Sequence, residues 1–151
     1  MSRILTILLR ERRNWLLAGL GATIVLTVFM EGVARLVLGG PMKPAAMICA
    51  LLGLDQSYLW LGEIAHYATG LIAFPVGFIL VTTILDLRPT LSTGALWGVV
   101  LWLVAGLVLA PLSGGAIFFG GGRMMLASLV AHLAYGGTLG HLYQRVQKTR
   151  L

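Results

Sequence analysis

Four apolar stretches, each about as long as a membrane helix, dominate this sequence of 151 residues. They cover about residues 15–38, 58–83, 93–111 and 124–143. An α-helix needs about 20 apolar residues to cross the hydrocarbon core of a bilayer, because each residue advances it by only about 1.5 Å. The pattern therefore predicts an all-α integral membrane protein built as a bundle of four transmembrane helices.

The composition excludes an ordinary soluble domain. Charged residues make up 11% of the chain and apolar residues 58%, whereas soluble domains carry about 25% charged residues. The mean hydropathy is +0.93, so a core of this size cannot bury all of the apolar surface. We therefore expect a single membrane domain over residues 1–151, with the lipid bilayer as its surroundings.

The formal net charge of +6 does not indicate a nucleic-acid partner, because the basic residues stand next to apolar stretches rather than along one solvated face. Attraction to anionic lipid headgroups explains them better. The single cysteine, Cys49, allows no disulfide within the chain and is expected to be a small apolar filler.

The distribution of Lys and Arg predicts the orientation. With four crossings, both termini lie on one side, and that side holds most of the basic residues: Arg3, Arg10, Arg12, Arg13, Arg88, Arg145, Lys148 and Arg150. The opposite side holds Lys43 and Arg123. Basic loops stay in the cytoplasm, so we expect a multi-pass protein of the bacterial inner membrane with both termini cytoplasmic.

Residues 1–14 are expected to form a retained segment at the cytoplasmic interface rather than a cleaved signal peptide, because the apolar run is too short. In a helix, one face would carry apolar side chains, with arginines at both ends. The apolar set is Ile4, Leu5, Leu8 and Leu9.

Both outer loops have helix and turn signals. A short apolar segment begins at Pro44 and ends before Gly53, which predicts a helix too short to span, either interfacial or re-entrant. Asp55 is placed to cap the second span. The glycine-rich segment 113–122 is expected to be a flexible turn with two phenylalanine rings in the interface.

Small residues spaced four apart predict close helix packing. The pairs are Ala18 with Ala22, Gly94 with Gly98, and Gly136 with Gly140. Pro75 stands inside the second span and removes the amide that would bond to the carbonyl of Leu71, so a kink is expected there.

Ionisable residues inside the predicted spans form the candidate site. They share the outer half of the bilayer, and burial of such groups is expensive unless they face the bundle interior. The set predicted to form this intramembrane polar cluster is Glu31, Arg35, Glu63, His66 and His132.

Three interpretations of this cluster remain open. The first is structural: a bridge between Glu31 and Arg35, with Glu63 and the histidines bonding helices together. The second is a small transporter or proton path that uses Glu31, Arg35, Glu63 and His66. The third is a b-type haem held by His66 and His132, which would make the chain an electron-transfer subunit.

A resemblance to a known family supports the topology. The chain resembles small, uncharacterised four-span bacterial membrane proteins, broadly the YagU-like inner-membrane proteins, over about residues 20–143. The motifs that carry the resemblance are Thr27-Val-Phe-Met30, the Pro-Met-Lys-Pro turn from Pro41 to Pro44, Ala46-Met47, Leu51-Leu-Gly53, His66 with Gly70, Gly94-Ala-Leu-Trp-Gly98, Leu109-Ala-Pro111 and His132-Leu-Ala-Tyr-Gly-Gly-Thr-Leu-Gly140. The resemblance implies a fold but no activity.

No catalytic motif is present in the sequence, and a lone Glu63-x-x-His66 is only half of a di-iron motif. We therefore expect a non-enzymatic accessory or structural subunit that packs against other membrane proteins in a larger complex.

Overall fold

The computed structural model describes residues 3–40 and 42–148. Of the described residues, 86% are helical, and they include no strand. They form six main helices: α1 (Arg3–Arg10), α2 (Arg12–Leu38), α3 (Pro44–Leu51), α4 (Gln56–Ile84), α5 (Leu91–Leu112) and α6 (Gly122–Lys148). A short 3₁₀ turn, Ile117–Gly120, precedes α6. Each of the four predicted spans falls within one of the long helices. Pro41 and Arg150, and the side chains of Arg3 and Ile4, lie outside the described residues.

Three helices, α2, α4 and α5, are long and apolar enough to cross a membrane. The fourth predicted span lies within α6, which has 27 residues and a length of about 40 Å. It is not among the three, because glycines, histidines and hydroxyl-bearing side chains dilute its apolar residues. Within the described part of the chain, length and hydropathy thus single out three helices rather than four.

Helix α6 occupies the centre of the bundle. Its most extensive packing is against α5 and α2, and Tyr135 and Leu139 are each only 1% exposed. The core joins α6 to Ala18 and Ala22 of α2 and to Phe78 of α4. A helix surrounded in this way is shielded by protein, which explains why it carries more polar residues than its neighbours.

Glycines bring α5 and α6 into backbone contact, as their spacing predicts. A Cβ atom built on Gly94 would lie 2.9 Å from the Cα of Gly140, and one on Gly98 would lie 2.8 Å from the carbonyl carbon of His132. Real Cβ contacts are longer than 3.0 Å. Only glycine allows these two helices to approach so closely.

Each of the three apolar helices contains one π turn, where a residue is inserted into the α-helical pattern. The first π turn is Phe29–Val33 in α2, the second is Thr69–Ala73 in α4, and the third is Ala105–Leu109 in α5. The sequence had indicated an irregularity only near Pro75.

The second π turn changes which carbonyl Pro75 leaves unpaired. Within the turn, the amide of Phe74 donates to the carbonyl of Thr69, five residues earlier. In this register the missing amide of Pro75 would have paired with Gly70 rather than with Leu71. The prediction from an ideal α-helix therefore named the neighbouring carbonyl.

Tyr135 replaces the missing donor. Its hydroxyl donates to the carbonyl oxygen of Gly70 at 2.5 Å, which ties the irregular part of α4 to the central helix. On the other side, Gly19 of α2 packs against the ring of Pro75 and the carbonyl of Leu71, where a Cβ would lie within 2.7 Å of both. The irregular turn is held between two helices.

The loop between α2 and α4, which was predicted to be the first outer loop, contains α3, with Pro44 in its first turn. Gly53, beyond its end, adopts a φ of +67°, which favours glycine. Helix α3 packs on α4, where the buried Cys49 donates its thiol to the carbonyl of Tyr58 at 3.3 Å. Asp55 caps α4 as expected, because its carboxylate accepts from the Ser57 amide at 2.8 Å.

Helix α1 packs on the bundle less simply than its amphipathic pattern suggests. Ile7 and Leu8 pack against the core, and the indole of Trp15 donates to the Leu8 carbonyl at 3.0 Å. Leu5 and Leu9, which were expected on the same face as Leu8, are exposed. Helix α1 thus turns part of its apolar surface toward the protein and part away from it.

Candidate functional site

The structure does not bring the five residues of the predicted polar cluster together. Glu31 and Arg35 form the expected ion pair, with Nη2 of Arg35 3.1 Å from Oε2 of Glu31. Their side chains are 55% and 58% exposed, because the buried face of this part of α2 carries Met30 and Ala34, one position earlier in each case. Glu63 is also exposed. These three side chains do not line the bundle interior.

The two histidines lie elsewhere. His66 and His132 both line one cavity of about 370 Å³ in the half of the bundle that was predicted to be outer. Pockets for small molecules commonly have volumes of about 300–1,000 Å³. His141, the third histidine, is not in its lining. We call this space the outer cavity.

All three π turns contribute to the wall of the outer cavity. The first contributes Met30, the second Thr69, and the third Ala105 and Leu109. A π turn costs regular hydrogen bonding, and such turns occur frequently at functional sites. Three of them converging on one cavity mark it as the strongest site candidate in the described part of the chain.

The hydrogen bond of His132 fixes the chemistry of its ring. Nδ1 lies 2.7 Å from the carbonyl oxygen of Ser128. A carbonyl oxygen only accepts, so Nδ1 carries the proton, and in the neutral ring Nε2 retains its lone pair. The Ser128 hydroxyl is buried and has no hydrogen-bond partner among the described residues.

Methionines form the part of the wall that no sequence pattern indicated. Met30, Met42, Met47 and Met124 all line the outer cavity, whereas Met125 does not. They come from α2, the first outer loop with α3, and α6, so neither spacing nor periodicity connects them. Only the folded chain brings their thioethers together.

The loop between α5 and α6 closes another part of the wall. Phe118 and Phe119 have φ values of 48° and 58°, a left-handed conformation unusual for phenylalanine. Phe119 lines the cavity, while the ring of Phe118 lies 4.5 Å from that of Trp102. The two rings, which were expected in the membrane interface, both pack on the bundle.

The outer cavity offers few charged groups. Lys43 is the one Lys, Arg, Asp or Glu among its described lining residues. Within residues 3–40 and 42–148, no three His, Cys, Asp or Glu side chains are grouped so as to hold a metal ion. The cavity therefore combines a mainly apolar wall with two imidazoles and four thioethers.

Comparison with known proteins places the chain in a family without assigning a role. The model of a family of unknown function, DUF6789, matches residues 11–151. Because the match covers most of the chain, the protein belongs to this family. No curated protein and no solved structure matches significantly.

Proposed function

We propose that this member of the DUF6789 family is a non-enzymatic four-span subunit of a larger membrane complex and that it holds a ligand in the outer cavity. The observation that carries the proposal is the convergence of three π turns and two histidines on one cavity of about 370 Å³. Irregular backbone is tolerated at membrane depth where it is enclosed by protein or lines a cavity.

The position of α6 supports a fourth crossing. A helix of about 40 Å exceeds the thickness of the hydrocarbon core, which is about 30 Å. Since α2 and α5 pack along α6, it needs less apolar surface than a lipid-facing helix. Four crossings, together with the bias of Lys and Arg, favour the bacterial inner membrane with both termini cytoplasmic, a topology that also fits the expected YagU-like resemblance.

The exposed charges favour a partner subunit. Glu63 lies on a face of α4 that also exposes Trp60 and Ile64, and the pair of Glu31 and Arg35 is exposed on α2. A charge that faces lipid within the bilayer is costly, and the cost reaches about 2.5–3.5 kcal/mol at the bilayer centre on insertion scales. Contact with other membrane helices would remove part of this cost.

Gentle purification tests both parts of the proposal. In mild detergent the chain should co-purify with larger membrane proteins, and Glu63→Gln should weaken that association. The cavity should retain a ligand that mass spectrometry detects, and His132→Leu should lose it while the control His141→Leu keeps it. If the wild-type chain purifies alone and mass spectrometry detects no bound ligand, the proposal is refuted.

A b-type haem held by His66 and His132 is the second candidate, favoured by two observations. Both histidines line the same cavity, and His132 donates Nδ1–H to a carbonyl, as haem- and metal-ligating histidines commonly do. Protein expressed with ample haem would then show a Soret band that shifts on reduction and is lost in His66→Leu. A colourless preparation would eliminate this candidate.

The positions of the candidate residues give less support to the transporter hypothesis. Of Glu31, Arg35, Glu63 and His66, only His66 lines the outer cavity. Proton flux into liposomes that Glu63→Gln abolishes would restore this hypothesis, and equal flux in the variant would remove Glu63 from any path.

A further inference from the structure

We infer that the ligand of the outer cavity is monovalent copper, bound by methionine thioethers together with imidazole nitrogen. The inference rests on the proposed role of the outer cavity as a ligand site. It names a soft, singly charged metal ion, which neither the family nor the sequence pattern indicates.

The concentration of thioethers is the first argument. Four of the five described methionines line this one cavity, and they come from separate parts of the chain: Met30, Met42, Met47 and Met124. Methionine is a common filler of irregular apolar gaps, but gap filling alone gives no reason for methionines to gather beside histidines. Here the same cavity also exposes both interior histidines, which gives a set of sulphur and nitrogen donors.

Charge is the second argument. No Asp or Glu is found among the described lining residues, and the one charged side chain, the cationic Lys43, is exposed. The cost of moving an ion from water into a medium of low dielectric constant rises with the square of its charge, so a neutral donor set in an apolar wall favours a monovalent cation. Thioether ligands select Cu(I) among the biological transition metals, whereas carboxylates and carbonyls suit Mg²⁺, Ca²⁺ and Mn²⁺.

The ring of His132 supplies the third argument. Because Nδ1 donates to the Ser128 carbonyl at 2.7 Å, Nε2 is the nitrogen left with a lone pair for a metal. A hydrogen bond of this kind orients ligating histidines and raises their basicity. The ring is thus prepared as a ligand before any metal arrives.

Position along the helices suggests two levels of donors. Met30 lies eight residues before the end of α2, and His132 lies eight residues after Met124 near the start of α6. Eight residues correspond to about 12 Å of helix. Met30, His66 and His132 are therefore the inner donors that retain the ion, and Met42, Met47 and Met124 are the outer donors through which it arrives.

The test is a titration of the purified chain in mild detergent with Cu(I), kept reduced without oxygen and in competition with a chromophoric Cu(I) chelator. We expect one Cu(I) per chain. His132→Leu and Met30→Leu should each weaken binding at least tenfold, and a Met42→Leu/Met47→Leu double variant should slow loading. Met125→Leu, next to Met124 but outside the cavity wall, is the matched control and should bind as the wild type does.

Several outcomes would overturn the inference. They are the absence of stoichiometric Cu(I) binding, inner variants that bind as tightly as Met125→Leu, and displacement of the ion by an equal concentration of Zn²⁺. If His132→Leu does not fold, as judged by its circular dichroism melt, Met30→Leu keeps the test decisive because leucine preserves the size and apolar character of methionine.

The experiments separate a failure of the copper inference from a failure of the proposed function. If a haem or another organic ligand co-purifies and is lost in His132→Leu, while Cu(I) does not bind, the ligand site stands and the copper inference falls. If Cu(I) binds but no partner protein co-purifies, the ion site stands and the role as a subunit of a larger complex falls.

Discussion

Adjacent glycines at the centre of α6 provide the sharpest test of how this bundle is packed. Gly136 faces α5, where a Cβ atom would lie 2.7 Å from the amide nitrogen of Gly98 and 2.9 Å from its Cα. The nearest atoms to a Cβ on Gly137 belong to Leu91 and are 3.9 Å away, an ordinary contact. We predict that Gly136→Ala destabilises the protein and that Gly137→Ala does not.

Comparison of the two variants isolates the free-energy cost of overpacking at Gly136. Alanine at either position gains the same helix propensity over glycine, about 0.8–1.0 kcal/mol. At Gly136 the methyl group also meets backbone atoms that cannot rotate away, and overpacking of this kind typically costs about 1–3 kcal/mol. Because the propensity gain cancels in the comparison, Gly136→Ala should be less stable than Gly137→Ala by about 1–3 kcal/mol, which is roughly a 5- to 150-fold change in the unfolding equilibrium.

Reversible unfolding in mixed micelles, titrated with sodium dodecyl sulphate and followed by circular dichroism, measures this difference. If Gly136→Ala does not refold, its unfolding rate in the same detergent replaces the equilibrium measurement and should exceed that of Gly137→Ala. Equal free energies of unfolding, or equal rates, would refute the conclusion that α5 and α6 are in backbone contact at this glycine.

The remaining predictions concern polar groups. Tyr135→Phe should lower the free energy of unfolding by about 1 kcal/mol in the same assay, because the Gly70 carbonyl then has no donor. This loss of stability should be smaller in a Pro75→Ala background, where the new backbone amide can donate to that carbonyl. An equal loss in both backgrounds would contradict this account. Asp55 accepts hydrogen bonds that lower its pKa below the usual 3.8, so the stabilisation by its carboxylate is complete above that pH and is lost as pH falls through the folded-state pKa. The stability gap between wild type and Asp55→Asn should therefore narrow on acidification below about pH 4, and a constant gap would argue against it.

Hydropathy and residue size alone predict most of the helices of this fold. Apolar length placed the long helices, because a chain with so few charges can bury its backbone only by pairing each carbonyl with an amide of the same helix. Glycine spacing indicated the contact between α5 and α6, since only the absence of a side chain permits that approach. Asp55 marked the start of α4 through the preference of short acidic side chains for the N-cap.

The candidate site was predictable only in part. His66 and His132 were expected at similar depth, and the folded bundle puts both into the wall of the outer cavity. Depth along a helix follows from counting residues, whereas the direction of a side chain depends on the rotation of the helix. Glu31 and Arg35 show this limit, because their depth suited the predicted cluster while their side chains are exposed.

Rotation was hard to predict because the π turns change it. Ala18 and Ala34 are both fully buried, yet sixteen residues of ideal α-helix, at about 100° each, would place them about 160° apart. The residue inserted by the first π turn takes back about 100°, which leaves the two alanines about 60° apart on one face. The same shift leaves Arg35 about 160° from Ala18, on the far side of the helix. No local sequence signal marks this turn. Residue patterns along single helices therefore identified the histidines but not the methionines, because the wall of the outer cavity depends on how each helix is rotated in the bundle.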